Sequence, residues 1–146
     1  MPHRLALARE LGADTVVDIA RESVVEAVLD LTGGRGAHLI LDAAGKPESL
    51  NAAFRAARAG GRVALIGIPS ESPVPADLYA ALDKELALYT IKRSNHNDHE
   101  AIGLIESGKI PARKLVTHTF PLECAGRAFE TVGTYADGVA KAVVTL

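Results

Sequence analysis

Few residues in this chain stand at spacings that support chemistry. Residues 33–36 read Gly-Gly-Arg-Gly. A glycine-rich run can offer backbone N–H groups to a phosphate when it follows a strand and opens a helix. Here the order is reversed: the run follows an apolar helical pattern and precedes the strand-like residues 39–42. Gly33, Gly34 and Gly36 therefore read as a helix end and turn. His96, Asp98 and His99 are metal-ligand types. They lack the i, i+4 histidine pair of a helical zinc motif, and no cysteine is near them in sequence. A solvated helix start, capped by Asn97, accounts for them. The single cysteine, Cys124, excludes an internal disulfide and a four-cysteine zinc site. Beside Ala125 it reads as a small core residue. No serine–histidine–carboxylate triad can be assigned by spacing. There remain the ends of two apolar strands, Ala43, Ala44 and Gly45, and Ile66, Gly67 and Ile68. Open parallel sheets bind ligands at the carboxyl ends of their strands. Each trio reads equally well as core strand and turn.

The elements that would position these residues alternate. In residues 3–11, Leu5, Ala8 and Leu11 recur at helical spacing, and Gly12 stands where a helix-terminating glycine belongs. Residues 15–18 form a short β-branched strand. Ser23 and Glu26 have capping-box spacing, and Val24/Val28 with Val25/Leu29 make the helix face that follows. Residues 39–42 are a near-continuous apolar strand, the type buried on both faces of a parallel sheet. Pro47 suits a first helical turn, with Leu50, Ala53, Phe54 and Ala57 as the buried side. Gly60 and Gly61 turn the chain into a strand over residues 62–67, stopped by Pro69. Short connections between alternating helices and strands imply a parallel α/β sheet.

The pattern then loosens. Residues 70–75 are a polar loop with prolines, and residues 86–91 a strand. Residues 97–107 read as a helix with Ile102 and Ile105 inward and Gly108 at its end. A strand follows at 115–120. Residues 122–132 form a helix with Leu122, Ala125, Phe129 and Val132 on one face, and residues 141–146 a terminal strand. There is no internal repeat.

Composition agrees with a folded domain. Apolar residues are 48% and charged residues 23% of 146, enough to bury a core. A net charge of -2 supplies no phosphate-neutralising face, which argues against nucleic acid and anionic membranes as partners. No apolar run approaches the ~20 residues that span a bilayer. Residues 1–4 open into a helical pattern without an apolar leader. A reducing, cytoplasmic setting is the expectation.

The order of these stretches resembles the C-terminal part of medium-chain, zinc-type alcohol and polyol dehydrogenases. Residues 4–14 (RLALARELGAD) are similar to the helix after that family's second Rossmann strand. Residues 41–45 (LDAAG) resemble the fourth strand and residues 60–67 (GGRVALIG) the fifth. Lys84-Glu85-Leu86 and residues 92–95 (KRSN) are similar to the polyol and threonine dehydrogenase branch. Residues 106–110 (ESGKI) and 118–122 (HTFPL) complete the series. The resemblance spans essentially the whole chain.

The resemblance implies an α/β fold: an incomplete Rossmann-type parallel sheet without its first two strands, then an α+β C-terminal extension. It divides the chain into residues 1–92, part of a dinucleotide-binding domain, and residues 93–146, which would pack on a catalytic domain. It implies NAD or NADP as cofactor. Ala43, Ala44 and Gly45 would lie on the adenosine side, and Ile66, Gly67 and Ile68 near the nicotinamide. Ile91 and Lys92 would contact the carboxamide, Arg93 would lie near the substrate, and Lys141 would pair with the pyrophosphate. Arg93 and Lys141 also read as solvated surface charges. The family's G-x-G-x-x-G turn, its ribose-binding acidic residue and its zinc ligands have no counterpart in these residues, so zinc would belong to the catalytic domain and none to this chain. In the family's 3-2-1-4-5-6 strand order, residues 15–18 would be strand three and residues 39–42 strand four. The edge of residues 39–42 would then stand open unless residues 15–18 or another chain paired with it. Two functions follow: a dehydrogenase fragment inactive alone, or a non-catalytic module that self-associates through its sheet edges or complements a separate N-terminal half.

Overall fold

In the computed structural model, which describes residues 1–146, the elements run α1 (Pro2–Glu10), α2 (Val24–Leu31), β1 (Ala37–Asp42), α3 (Pro47–Ala56), β2 (Ala57–Leu65), α4 (Leu78–Asp83), β3 (Ala87–Thr90), α5 (Asp98–Glu106), β4 (Val116–Pro121), α6 (Ala125–Thr134) and β5 (Lys141–Thr145). They fall into two compact units, residues 17–95 and residues 1–16 with 96–146.

In the first unit, local signals set the helix ends. Ser23 Oγ accepts the Glu26 N–H at 3.3 Å and starts α2. At its other end the Gly33 N–H bonds to Asp30 O and the Gly34 N–H to Leu29 O, a Schellman ending. Both glycines have positive φ, as that ending demands. So the Gly-Gly-Arg-Gly run is a turn, as its order indicates. Pro47 occupies the first turn of α3, and Ser49 Oγ accepts the Lys46 N–H.

The strands β1, β2 and β3 pair in that order, all parallel. Side chains alternate across a sheet. Ile40, Val63 and Leu88 are register neighbours on one face, and Leu41, Ala64 and Tyr89 on the other. The first face packs on α3 and α4: Phe54 (1% exposed), Val63, Ala53, Ala57 and Ala81 form the core, with Ile40, Leu50 and Leu86 against it. Lys84 stitches this layer together. Its Nζ donates to Ala57 O at 2.8 Å and to Arg55 O, carbonyls at the C-terminal end of α3 that favour a cation.

Several expectations need correction. Residues 15–18 form no strand. With no neighbour to supply a ladder, β-branched propensity alone does not order them. Asp18 instead turns the chain, its carbonyl accepting the Arg21 and Glu22 N–H groups. The described sheet therefore lacks three Rossmann strands rather than two. Nor is β1 buried on both faces: Leu39 and Leu41 are 49% and 60% exposed, because nothing covers the second face. Gly60 and Gly61 lie inside β2, where the register jumps from Ala37↔Ala57 to Leu39↔Arg62. Ala57 is buried as a strand residue, not a helical one.

In the second unit, β4 and β5 form a parallel pair with α6 beside it. The α1 helix belongs here: Arg4 donates to Val139 O at 3.2 Å and lies 4.9 Å from the Tyr135 ring centroid. Residues 1–16 thus group with the C-terminal segment, which differs from a single 1–92 domain. The buried residues are Ala128 and Val139. Phe129, Leu122, Val132, Ile102 and Ile105 are exposed rather than inward, since α5 and the outer side of α6 have no apolar layer against them. Asn97 stands at the α5 N-cap without a capping side-chain bond. Cys124 is half-buried at the start of α6.

These burials separate two phenylalanines that look alike in sequence. Phe54→Ala should lower unfolding stability in urea by about 3–5 kcal/mol, whereas Phe129→Ala, at a side chain 80% exposed, should change it by less than about 0.5 kcal/mol. Equal losses would overturn the assignment of the core.

Candidate functional site

Three parallel strands end at one rim. Asp42, Leu65 and Thr90 are register neighbours, so the residues after them leave the sheet side by side. The structure thereby brings together Ala43, Ala44 and Gly45, then Ile66, Gly67 and Ile68, then Ile91, Lys92 and Arg93. Backbone bonds tie the strand ends. Asp42 O accepts both the Ile66 and Gly67 N–H groups at 2.8 Å, and Leu65 O accepts the Ile91 N–H at 3.0 Å.

The first two loops touch backbone to backbone. A Cβ on Gly67 would lie 2.2 Å from Gly45 N and 2.7 Å from Ala44 C. One on Gly45 would lie 2.8 Å from Gly67 C, and Gly45 also has a φ of +64°. Both positions therefore require glycine. Beyond this crossing the rim is apolar and open: Ile66, Ile68 and Ile91 are 39%, 69% and 45% exposed. Lys92 and Arg93 are exposed beside them, Arg93 with a φ of +55°.

Lys141 belongs to the other unit. It opens β5 in the second unit, paired with Val116, with its side chain exposed. Asp42 is the rim residue that sequence reasoning left out. It is 7% exposed and its Oδ1 accepts the Ala44 N–H at 3.1 Å. The available signal was a carboxylate ending an apolar strand, since a buried charge needs hydrogen-bond partners.

A cleft of about 830 Å³ opens along the free edge of β1. Val24, Val25 and Val28 of α2, Leu39 and Leu41 of β1, and Ala52 and Ala56 of α3 line it. Among the rim residues named from the sequence, only Ala44 reaches this cleft. No group of three or more His, Cys, Asp and Glu side chains is assembled to hold a metal, so the residues present do not fit a zinc ion.

The family profile of zinc-binding dehydrogenases matches residues 1–107. The chain belongs to this family. Sorbitol dehydrogenase of Bacillus subtilis (strain 168) is 29% identical over 143 residues, 98% of this chain and 40% of that protein. Among solved structures, alcohol dehydrogenase TADH from Thermus sp. ATN1 superimposes on all of this chain with a TM-score of 0.91 at 28% identity, over 42% of its own length. An alcohol dehydrogenase from E. coli CFT073, complexed with NADH, gives a TM-score of 0.88 at 27% identity over the same shares. The chain thus spans about two-fifths of the length of these zinc-binding dehydrogenases and corresponds to their C-terminal part. The expected α/β class, an incomplete Rossmann-type sheet with an α+β extension, holds for it.

In this chain the glycine crossing can be tested against a matched control. Gly33 and Gly45 have similar φ, +60° and +64°, but a Cβ on Gly33 would meet nothing within 4 Å. Gly33→Ala should cost about 1 kcal/mol of unfolding stability from backbone strain alone. Gly45→Ala should cost clearly more, because backbone must also move. Equal costs by urea unfolding would show that the loops are not in contact.

Proposed function

We propose that the chain forms part of the cofactor cleft of an NAD(P)-dependent, zinc-type alcohol or polyol dehydrogenase and does not turn over alcohol alone. One observation carries this reading. The ends of three parallel strands gather Ala43–Gly45, Ile66–Ile68 and Ile91–Arg93 at one rim, the place where open α/β sheets bind nucleotides. The exposed isoleucines there fit the apolar face of a nicotinamide ring. The backbone groups after Thr90 fit its carboxamide, with Arg93 toward the substrate. The NADH held by the E. coli neighbour supports the same reading.

The nicotinamide supplies the hydride acceptor when bound. This chain's own residues bind and orient it: the Gly45–Gly67 crossing sets how closely the backbone approaches, and Ile66 and Ile91 exclude water from one ring face. A pyrophosphate loop is not encoded here, and Lys141 is the residue proposed to meet that charge. Zinc, which would polarise the alcohol oxygen, belongs to the rest of the enzyme, as does substrate identity. A reducing, cytoplasmic setting goes with this reading, supported by the single cysteine. No helix is long and apolar enough to cross a membrane.

Saturation-transfer NMR with NADH tests it. The expected result is weak binding with transfer to the nicotinamide ring protons, lost in Ile66→Asp. Absence of transfer to any NADH proton would remove the cofactor reading. Affinity equal to that of a full-length dehydrogenase would remove the claim that the remaining parts are needed.

The open β1 edge and its cleft favour a second reading: a non-catalytic module that pairs this edge with a second copy or with a separate N-terminal half. Unpaired strand edges and apolar clefts invite such pairing. Sedimentation velocity should then show association as concentration rises. A well-folded monomer at every concentration would sink it.

A further inference from the structure

We propose that Asp42 is a positioning residue that locks the two rim loops, residues 43–45 and 66–68, into a single ledge, so that both halves of a dinucleotide are held in one register. The inference rests on the cofactor reading for its ligand, and on geometry alone for the ledge.

Asp42 is the residue that bonds to both loops at once. Its side chain holds the first: Oδ1 accepts the Ala44 N–H at 3.1 Å, an Asx turn that folds residues 43–45 back over the strand end. Its main chain holds the second: one carbonyl accepts the Ile66 N–H, continuing the ladder, and the Gly67 N–H, one residue past it. The extra bond pulls Gly67 toward β1, where Gly45 and Gly67 leave no room for a Cβ between them. Asp42 is buried, and hydrogen bonds shielded from water are the stronger for it. A neutral acceptor of the same shape would keep this geometry, whereas a methyl group would release the first loop. The consequence reaches the ligand. By the proposed assignment residues 43–45 face the adenosine side and residues 66–68 the nicotinamide side. A change at Asp42 should therefore disturb both halves together, while a change at Ile66 disturbs one.

The test compares Asp42→Ala, Asp42→Asn and Gly67→Ala in the whole chain, by amide hydrogen exchange and by saturation transfer with NADH. In Asp42→Ala the Ala44 amide should exchange about tenfold faster, and the Gly67 amide, whose main-chain acceptor the substitution keeps, should exchange faster by a smaller factor through the loosened first loop, with β2 amides such as Val63 unchanged. Asp42→Asn should stay near wild type, because its side-chain oxygen still accepts from Ala44. Gly67→Ala should speed the same amides with Asp42 intact. Saturation transfer should fall at adenine and nicotinamide protons alike in Asp42→Ala, against nicotinamide alone in Ile66→Asp. Unchanged exchange at Ala44 and Gly67 in Asp42→Ala would overturn the proposal. So would equal loosening by Asn and Ala, which would mean that the acceptor is not the cause. Should Asp42→Ala not fold, the Asn and Gly67→Ala arms decide. Should wild type show no transfer from NADH, the cofactor reading fails, and the exchange data alone judge the ledge.

Discussion

Everything described in residues 17–95 depends on parallel pairing of β1, β2 and β3. Parallel strands cannot be joined by a tight hairpin, so each connection must carry the chain back along the sheet. Helix α3 makes the first return and residues 66–86, with α4, the second. Those returns place Phe54 and Ala81 against Val63 and create the core. The same constraint points all three strand ends in one direction. A rim of neighbouring loops follows from that geometry before any side chain contributes.

Pairing leaves a debt on the other side. Parallel sheets ordinarily have both faces covered, yet here Leu39, Leu41 and Tyr89 stand exposed on one face and β1 has a free edge. Ala64 on that face is buried, with Leu41 and Tyr89 flanking it in register. The cleft at the β1 edge, walled by the valines of α2, continues this unfilled space. In the other unit α5 buries no residue, and Phe129 projects from α6 into solvent. Surface ion pairs such as Lys114–Glu10 add little against such exposure. This chain, which spans two-fifths of the length of its relatives, leaves that apolar surface uncovered.

Local signals were legible wherever local chemistry decides. Ser23 before Val24, Pro47 at a first turn, and Gly33-Gly34 after a helix each act within a few residues, and each did so as their types indicate. Burial was legible only in part. Phe54 and Phe129 both sit at apolar helical spacing, but one meets a sheet and the other meets water. Residues 15–18 show the same limit in a strand: Thr15, Val16 and Val17 have the propensity and lack the neighbour. Of the rim, the apolar strand ends could be named in advance. For Asp42 the only hint was a carboxylate ending an apolar strand, because its role lies in bonds to Ala44, Ile66 and Gly67, one of them two residues away and the others just past the end of β2.

The sequence by itself determined the α/β alternation after residue 23, the starts of α2 and α3 and the end of α2, the family and the segments from which a cofactor rim would be built. These depend on spacing, capping and turn chemistry, which are properties of short stretches. The tertiary structure alone decided that α1 groups with the C-terminal segment, that one sheet face is bare, and that Gly45 and Gly67 meet without room for a Cβ. Those outcomes depend on which surfaces find each other across 20 or more residues, and no local pattern encodes the presence or absence of a neighbour.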